Sequence, residues 1–222
     1  MASTFDSAST ENYHLHRMLL GVPEGPGEIV PGSALPLESC MDVQGGGPCK
    51  PVSPMDDQTD RMTSVDFRKG CYLGQELTVR TYHTGATRKR ILPIRLFPLD
   101  NPPTHLSSIL PPSDPSNTGP SVGTGAGTDI TYHPPASSAS KKPRSAGRIL
   151  SLHPSVTSVG LGLVRLEMVE RTRWAGTVVE WMEGEGGRLL ANVGGEEWGV
   201  WVGRGEAFGA IMEEVEIEAG TS

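Results

Sequence analysis

Nine consecutive residues, Arg68-Lys69-Gly70-Cys71-Tyr72-Leu73-Gly74-Gln75-Glu76, combine a thiol, two cations, two glycines, an amide and a carboxylate. Core strands and surface helices are not composed this way. The glycines suit backbone in unusual conformations or in close approach to another group. Gln75 to Arg80 reads as a helix start, with Gly74 as N-cap and Glu76 near the positive end of the dipole. Cys71 then precedes a helix N-terminus and sits beside Arg68 and Lys69, surroundings that favour a thiolate. Two readings of Cys71 stand side by side. One is a reactive or ligand-forming thiol on a turn; the other is a small buried hydrophobe, as free cysteines commonly are.

The elements that must position this turn lie on both sides of it. Thr10 to Leu20 reads as a short helix, with Thr10 as N-cap, Gly21 just past the end and Pro23 blocking continuation. Its His14 and His16 form an H-x-H pair without further ligands, a weak metal signal. Ala34 to Glu38 reads as a short extended piece. Residues 44–63, with three successive glycines and three prolines, read as a disordered insertion. Cys40 and Cys49 flank that glycine run; they are either unrelated thiols near a loop or a metal or redox set with Cys71. Leu77 to Tyr82 continues the helix after the cysteine turn, and Thr84-Gly85 ends it. Arg88-Lys89-Arg90 then precedes a strand, Ile91 to Phe97. Such a charge run reads as solvated surface, or as a holder of carboxylates on a ligand or an acidic partner.

Residues 98–145 hold more than half of the nineteen prolines, with Ser, Thr and Gly between them. They read as a long disordered insertion in which Tyr132 and His133 are incidental. Order returns at Ala146. Gly147 to Leu152, Gly160 to Glu167, Thr177 to Trp181, Arg188 to Val193 and Glu197 to Val202 are strand-like runs separated by turn residues. Short strands at regular intervals predict a small barrel or sandwich, with Trp198 and Trp201 in its packing. Glu206 to Glu218 reads as an acidic terminal helix or a frayed tail.

At 222 residues the chain has room for one or two domains. A net charge of −7 argues against broad nucleic-acid binding, which requires a basic face. No apolar run is long enough to span a membrane. Three cysteines, an odd number, fit a reducing compartment better than a disulfide scaffold.

The run Lys69 to Glu76, followed by Arg80-Thr81-Tyr82-His83-Thr84-Gly85 and Arg88-Lys89-Arg90, closely resembles the signature of the YgfZ-type folate-binding proteins. These are relatives of the glycine-cleavage aminomethyltransferase. Tyr13 to Arg17 with Gly21 to Gly25, Leu35 to Glu38, Gly147 to Ile149 and Gly160 to Arg165 add weaker likeness. Together they cover about two thirds of the chain and are most similar to the fungal mitochondrial branch, iron-sulfur cluster assembly factors also described as transferases. The position where relatives usually carry Asn is Cys40 here.

The resemblance implies an α+β fold. Residues 1–90 would be the C-terminal remnant of an aminomethyltransferase-like folate-binding domain. Residues 91–222 would be a small β-barrel interrupted by 98–145. It implies a chain truncated at its N-terminus relative to the family. Residues 1–11 carry Asp6 and Glu11 and no Lys or Arg, unlike a mitochondrial presequence; residence in the mitochondrial matrix is expected from the resemblance alone. The function implied is maturation of four-iron four-sulfur proteins, with tetrahydrofolate as cofactor, a transient iron-sulfur cluster, and late-pathway assembly proteins as partners. No nucleic-acid or membrane partner is expected. Cys71 and Lys69 would carry the chemistry, and Gly70, Tyr72, Gly74, Gln75, Glu76 and Arg80 would bind the cofactor. The alternatives are a folate-dependent one-carbon transferase, and an inactive fragment or interaction module.

Overall fold

The computed structural model describes residues 9–41, 71, 75–76, 87–100, 119–120, 125–135, 142–172 and 187–203. Six strands close into an antiparallel barrel: β1 (Lys89–Pro98), β2 (Asp129–His133), β3 (Arg144–Leu152), β4 (Val159–Arg165), β5 (Arg188–Val193) and β6 (Glu196–Val202), in the order β1-β4-β3-β2-β5-β6. Closure removes the unpaired edges that a small sheet would otherwise expose.

Alternation along β1 shows why it forms. Leu92, Ile94 and Leu96 join the barrel core with Ile130, Ile149, Val164, Leu189 and Val200. Ile91 and Phe97, of the opposite parity, belong to separate clusters outside it. Each aliphatic side chain buried this way contributes roughly 1.5–3 kcal/mol. Gly162 makes the interior fit, since a Cβ there would lie 3.1 Å from Ile94 Cγ2 and 3.4 Å from Ile130 Cδ1. After β4 the chain turns into a short helix, α2 (Leu166–Arg171). Its Leu166, Met168 and Val169 pack against the barrel core.

The preceding helix, α1 (Thr10–Leu19), lies on the outside of the barrel. Its Met18 clusters with Ile91 and Leu161, with Leu150 and Leu163 packed beside them. Gly21 ends it under two constraints: its φ is +75°, and a Cβ there would meet Pro93 Cδ at 3.1 Å. Glycine is the residue that meets both.

Several sequence expectations are corrected. Residues 129–133, placed in the disordered insertion, are the barrel strand β2, with Ile130 fully buried and Tyr132 in the core. Tyr132 is therefore structural; proline- and glycine-rich flanks hid a five-residue strand. Ser9, not Thr10, caps α1 through a 3.2 Å hydrogen bond from Asn12 N–H. Residues 36–41 form turns rather than an extended piece, with Ser39 N–H donating to Leu35 O at 3.0 Å and Met41 N–H to Pro36 O at 3.0 Å. The strand expected to reach Glu167 stops at Arg165, where α2 begins. The strand start at Ile91 moves back to Lys89. Residues 44–63, 77–82, 177–181 and 206–218 lie outside the described residues.

Candidate functional site

Of the signature turn, the structure describes Cys71, Gln75 and Glu76. Cys71 is exposed, which excludes the buried-hydrophobe reading for it. Gln75 and Glu76 are helical, as expected for a helix that follows the cysteine turn, with Gln75 half-buried and Glu76 exposed. Lys69, Gly70, Tyr72, Gly74 and Arg80 lie outside the described residues. Among the described residues no three His, Cys, Asp or Glu side chains are grouped to hold a metal. His14 instead accepts a 3.1 Å hydrogen bond from Arg17 Nε at its Nδ1. No helix among the described residues is long and apolar enough to cross a membrane.

Cys40 has a different setting from Cys71. It is buried, and its thiol donates to Ile91 O, with Sγ at 3.2 Å. Its φ is +59°, a left-handed conformation in which Asn is enriched and most side chains are rare. Around it, Ile91 N–H donates to Glu38 O at 2.8 Å and Arg90 Nη1 to Leu37 O at 3.2 Å. The turns at 36–41 are thus fastened to the first residues of β1.

A second fastening was not legible in the sequence. Arg17 and Glu28, both buried, form a two-pronged ion pair, Nη1 to Oε2 at 2.7 Å and Nη2 to Oε1 at 3.0 Å. Ser151 Oγ on β3 donates to Glu28 Oε1 at 2.6 Å, and Glu24 N–H donates to Oε2 at 2.7 Å. Arg17 Nη1 also donates to Val22 O at 3.2 Å. Burial pushes the Glu28 carboxyl upward, but these hydrogen bonds and the Arg17 charge outweigh it and hold the group below the ordinary carboxylate value. Burial likewise opposes the Arg17 charge, and Glu28 more than restores it.

A third fastening uses His153, which is 2% exposed. Its Nδ1 accepts from Ser155 N–H at 3.2 Å and Val156 N–H at 2.9 Å. Two donors on Nδ1 place the proton on Nε2, which donates to Glu11 O at 3.0 Å. The only sequence signal for these links was polar residues on an otherwise ordinary helix and strand. Their partners lie up to 142 residues apart, beyond any local pattern.

No family model matches the chain. Its likeness to curated proteins defines a class, the iron-sulfur cluster assembly factors. The relative from Cryptococcus neoformans var. neoformans serotype D (strain JEC21 / ATCC MYA-565), named "Iron-sulfur cluster assembly factor IBA57 homolog, mitochondrial", is 54% identical over 220 residues, 97% of this chain and 52% of the relative. Proteins of the same name from Coccidioides immitis and Neurospora crassa are 43% identical over 161 residues and 40% over 179, covering 72% and 75% of this chain and 32% and 34% of the relatives. The chain belongs to the family of these IBA57 homologues, and it spans about half the length of the Cryptococcus relative.

Proposed function

We propose that this chain supplies the cysteine turn and the barrel of a mitochondrial iron-sulfur cluster assembly factor that acts in maturation of four-iron four-sulfur proteins. The observation that carries the reading is the exposed Cys71 within Lys69-Gly70-Cys71-Tyr72-Leu73-Gly74-Gln75-Glu76, in a chain 54% identical to a protein named as a mitochondrial iron-sulfur cluster assembly factor. An exposed thiol that follows Arg68 and Lys69 in the sequence suits transient ligation of iron in a cluster that is passed on, the cluster being cargo. Late-pathway assembly proteins would be the partners in that transfer.

A folate fits the donor set. Gln75 carries an amide and Glu76 a carboxylate, the kinds of group that pair with the edge of a pterin ring. Gly70, Tyr72, Gly74 and Arg80 would complete the set of residues that binds the folate. Bound tetrahydrofolate would supply one-carbon or redox chemistry; this chain's residues would orient it and hold the thiol beside it.

The test is rescue of four-iron four-sulfur enzyme activity in cells lacking the complete protein, using that complete protein with Cys71→Ser or Cys71→Ala. Loss of rescue with normal protein levels is expected from both. Full rescue by both would remove Cys71 from the chemistry and overturn the reading of the turn.

A further inference from the structure

Strand direction distributes charge unevenly over this barrel. β1 and β3 begin, and β4 ends, on one side of it, and they are neighbours in the ring. Those three strand ends carry Arg88, Lys89, Arg165, Arg144 and Lys142, of which all but the half-buried Lys89 are exposed. Arg90 is there too, engaged with Leu37 O. On the opposite side lie exposed Asp100 after β1, Asp129 at the start of β2, and Glu196 and Glu197 at the start of β6. Beside the cationic ends, Glu38 accepts from Ile91 N–H through its backbone oxygen, and Glu167, paired with Arg171, and Glu170 lie on α2.

Lys89 and Arg165 are direct cross-strand partners. Like charges placed opposite each other destabilise a strand pair. In a chain with net charge −7, this concentration of cations runs against both the overall charge and the local strand pairing. Folding does not require it, since either position would pair as well with a carboxylate. The arrangement is what an electrostatic docking face needs: several cations of one sign on adjacent strand ends, held at fixed spacing by the sheet.

We propose that the strand ends bearing Arg88, Lys89, Lys142, Arg144 and Arg165 form a docking surface for an acidic face of a partner protein. This goes beyond the cluster-assembly reading and stands or falls separately from it. The experiment measures binding of a fluorescein-labelled Glu/Asp-rich peptide to the full chain by anisotropy at physiological ionic strength, where screening acts over about 8 Å. K89Q/R165E is compared with A126E/S155E/N192E, which makes the same change in net charge at exposed positions away from these strand ends. Binding should weaken by about tenfold or more in the first and by less than about twofold in the second. Thermal unfolding of K89Q/R165E should be unchanged or shifted upward, because the opposed cations are gone. If that variant does not fold, K89Q/R165Q against A126E/N192E repeats the comparison. Equal weakening in both variants, no binding by the parent chain, or displacement of the peptide by inorganic phosphate at matched ionic strength would each overturn the proposal. The last would mark a small-anion site in place of a protein surface.

Discussion

The same residue types occur in two settings in this molecule. In the segment that covers the barrel, Arg17, Glu28 and Cys40 are buried and engaged in hydrogen bonds. In the signature turn, Cys71 and Glu76 are exposed. The first setting converts charge and thiol into structure: a carboxylate with a guanidinium, a hydroxyl and a backbone N–H around it has no capacity left for a ligand. The second leaves thiol and carboxylate open to solvent. Residue identity alone therefore does not mark a site in this chain; engagement by the fold does.

The largest effect should come from β2. Ile130 is fully buried and faces Ala191 and Gly147 on the two flanking strands. Replacing residues 98–145 with a short Gly-Ser linker removes that strand and opens the barrel, so cooperative thermal unfolding should disappear. Ile130→Ala, which only truncates the side chain, should lose about 2–5 kcal/mol in chemical denaturation. Cooperative unfolding of the linker variant at the parental midpoint would show that the barrel closes without β2.

Next is the buried pair. Glu28→Ala leaves the Arg17 guanidinium without its carboxylate and should cost about 3–5 kcal/mol. Glu28→Gln keeps the shape and gives the pH dependence. The folded Glu28 carboxyl titrates below its unfolded value of about 4.3. Its stabilisation is therefore complete above the unfolded value and is lost as pH falls through the folded one. The gap in stability between the parent and Glu28→Gln should be widest near neutrality and shrink below about pH 4. Hydrogen exchange should show α1 opening before β5 and β6 in both variants. A constant gap across that range would mean the carboxylate's charge is not what holds the segment.

How far the sequence reveals this contrast follows from the range of its signals. Strands β1, β3, β4, β5 and β6 were readable because apolar alternation and turn residues are local. The helix at 10–19 and its stop at Gly21 were readable for the same reason. β2 was not, because five residues between proline- and glycine-rich flanks carry too little pattern against a disordered composition. The turn at 36–41 was misread because Leu35-Pro36-Leu37 alternates like a strand, and the hydrogen bonds that fold it depend on docking to β1. The signature turn stood out in the sequence, since a thiol amid cations and glycines is a local composition. The fastenings through Glu28 and His153 were invisible, because their partners Ser151 and Glu11 lie 123 and 142 residues away in the chain.

A smaller effect is expected at Cys40, where backbone conformation competes with burial. Its φ of +59° disfavours a branched Cβ. Cys40→Val keeps the apolar volume and should lose about 2 kcal/mol through backbone strain. Cys40→Asn gives up the thiol and some burial but relieves the strain, and should stay within about 1 kcal/mol of the parent. A more stable Val variant would show that packing, not backbone conformation, governs the position.

The smallest effect on stability should come from Cys71, and that is what makes it informative. Cys71 is exposed, so Cys71→Ser removes no core contact and should change the unfolding free energy by no more than about 0.5 kcal/mol. Native-state alkylation with iodoacetamide should modify Cys71 quickly, while Cys40 waits for opening of its segment. Adding Glu28→Ala should speed modification of Cys40 and leave Cys71 unchanged, because only Cys40 lies in the fastened segment. If Cys40 is instead modified as fast as Cys71 in the parent chain, its burial against Ile91 does not persist in solution. If Cys71→Ser lowers stability by more than about 1 kcal/mol, the turn is held by its thiol and is structural after all. A thiol whose loss leaves the fold intact but ends cluster-enzyme rescue has no structural explanation left, and that pairing of results would place the chemistry at Cys71.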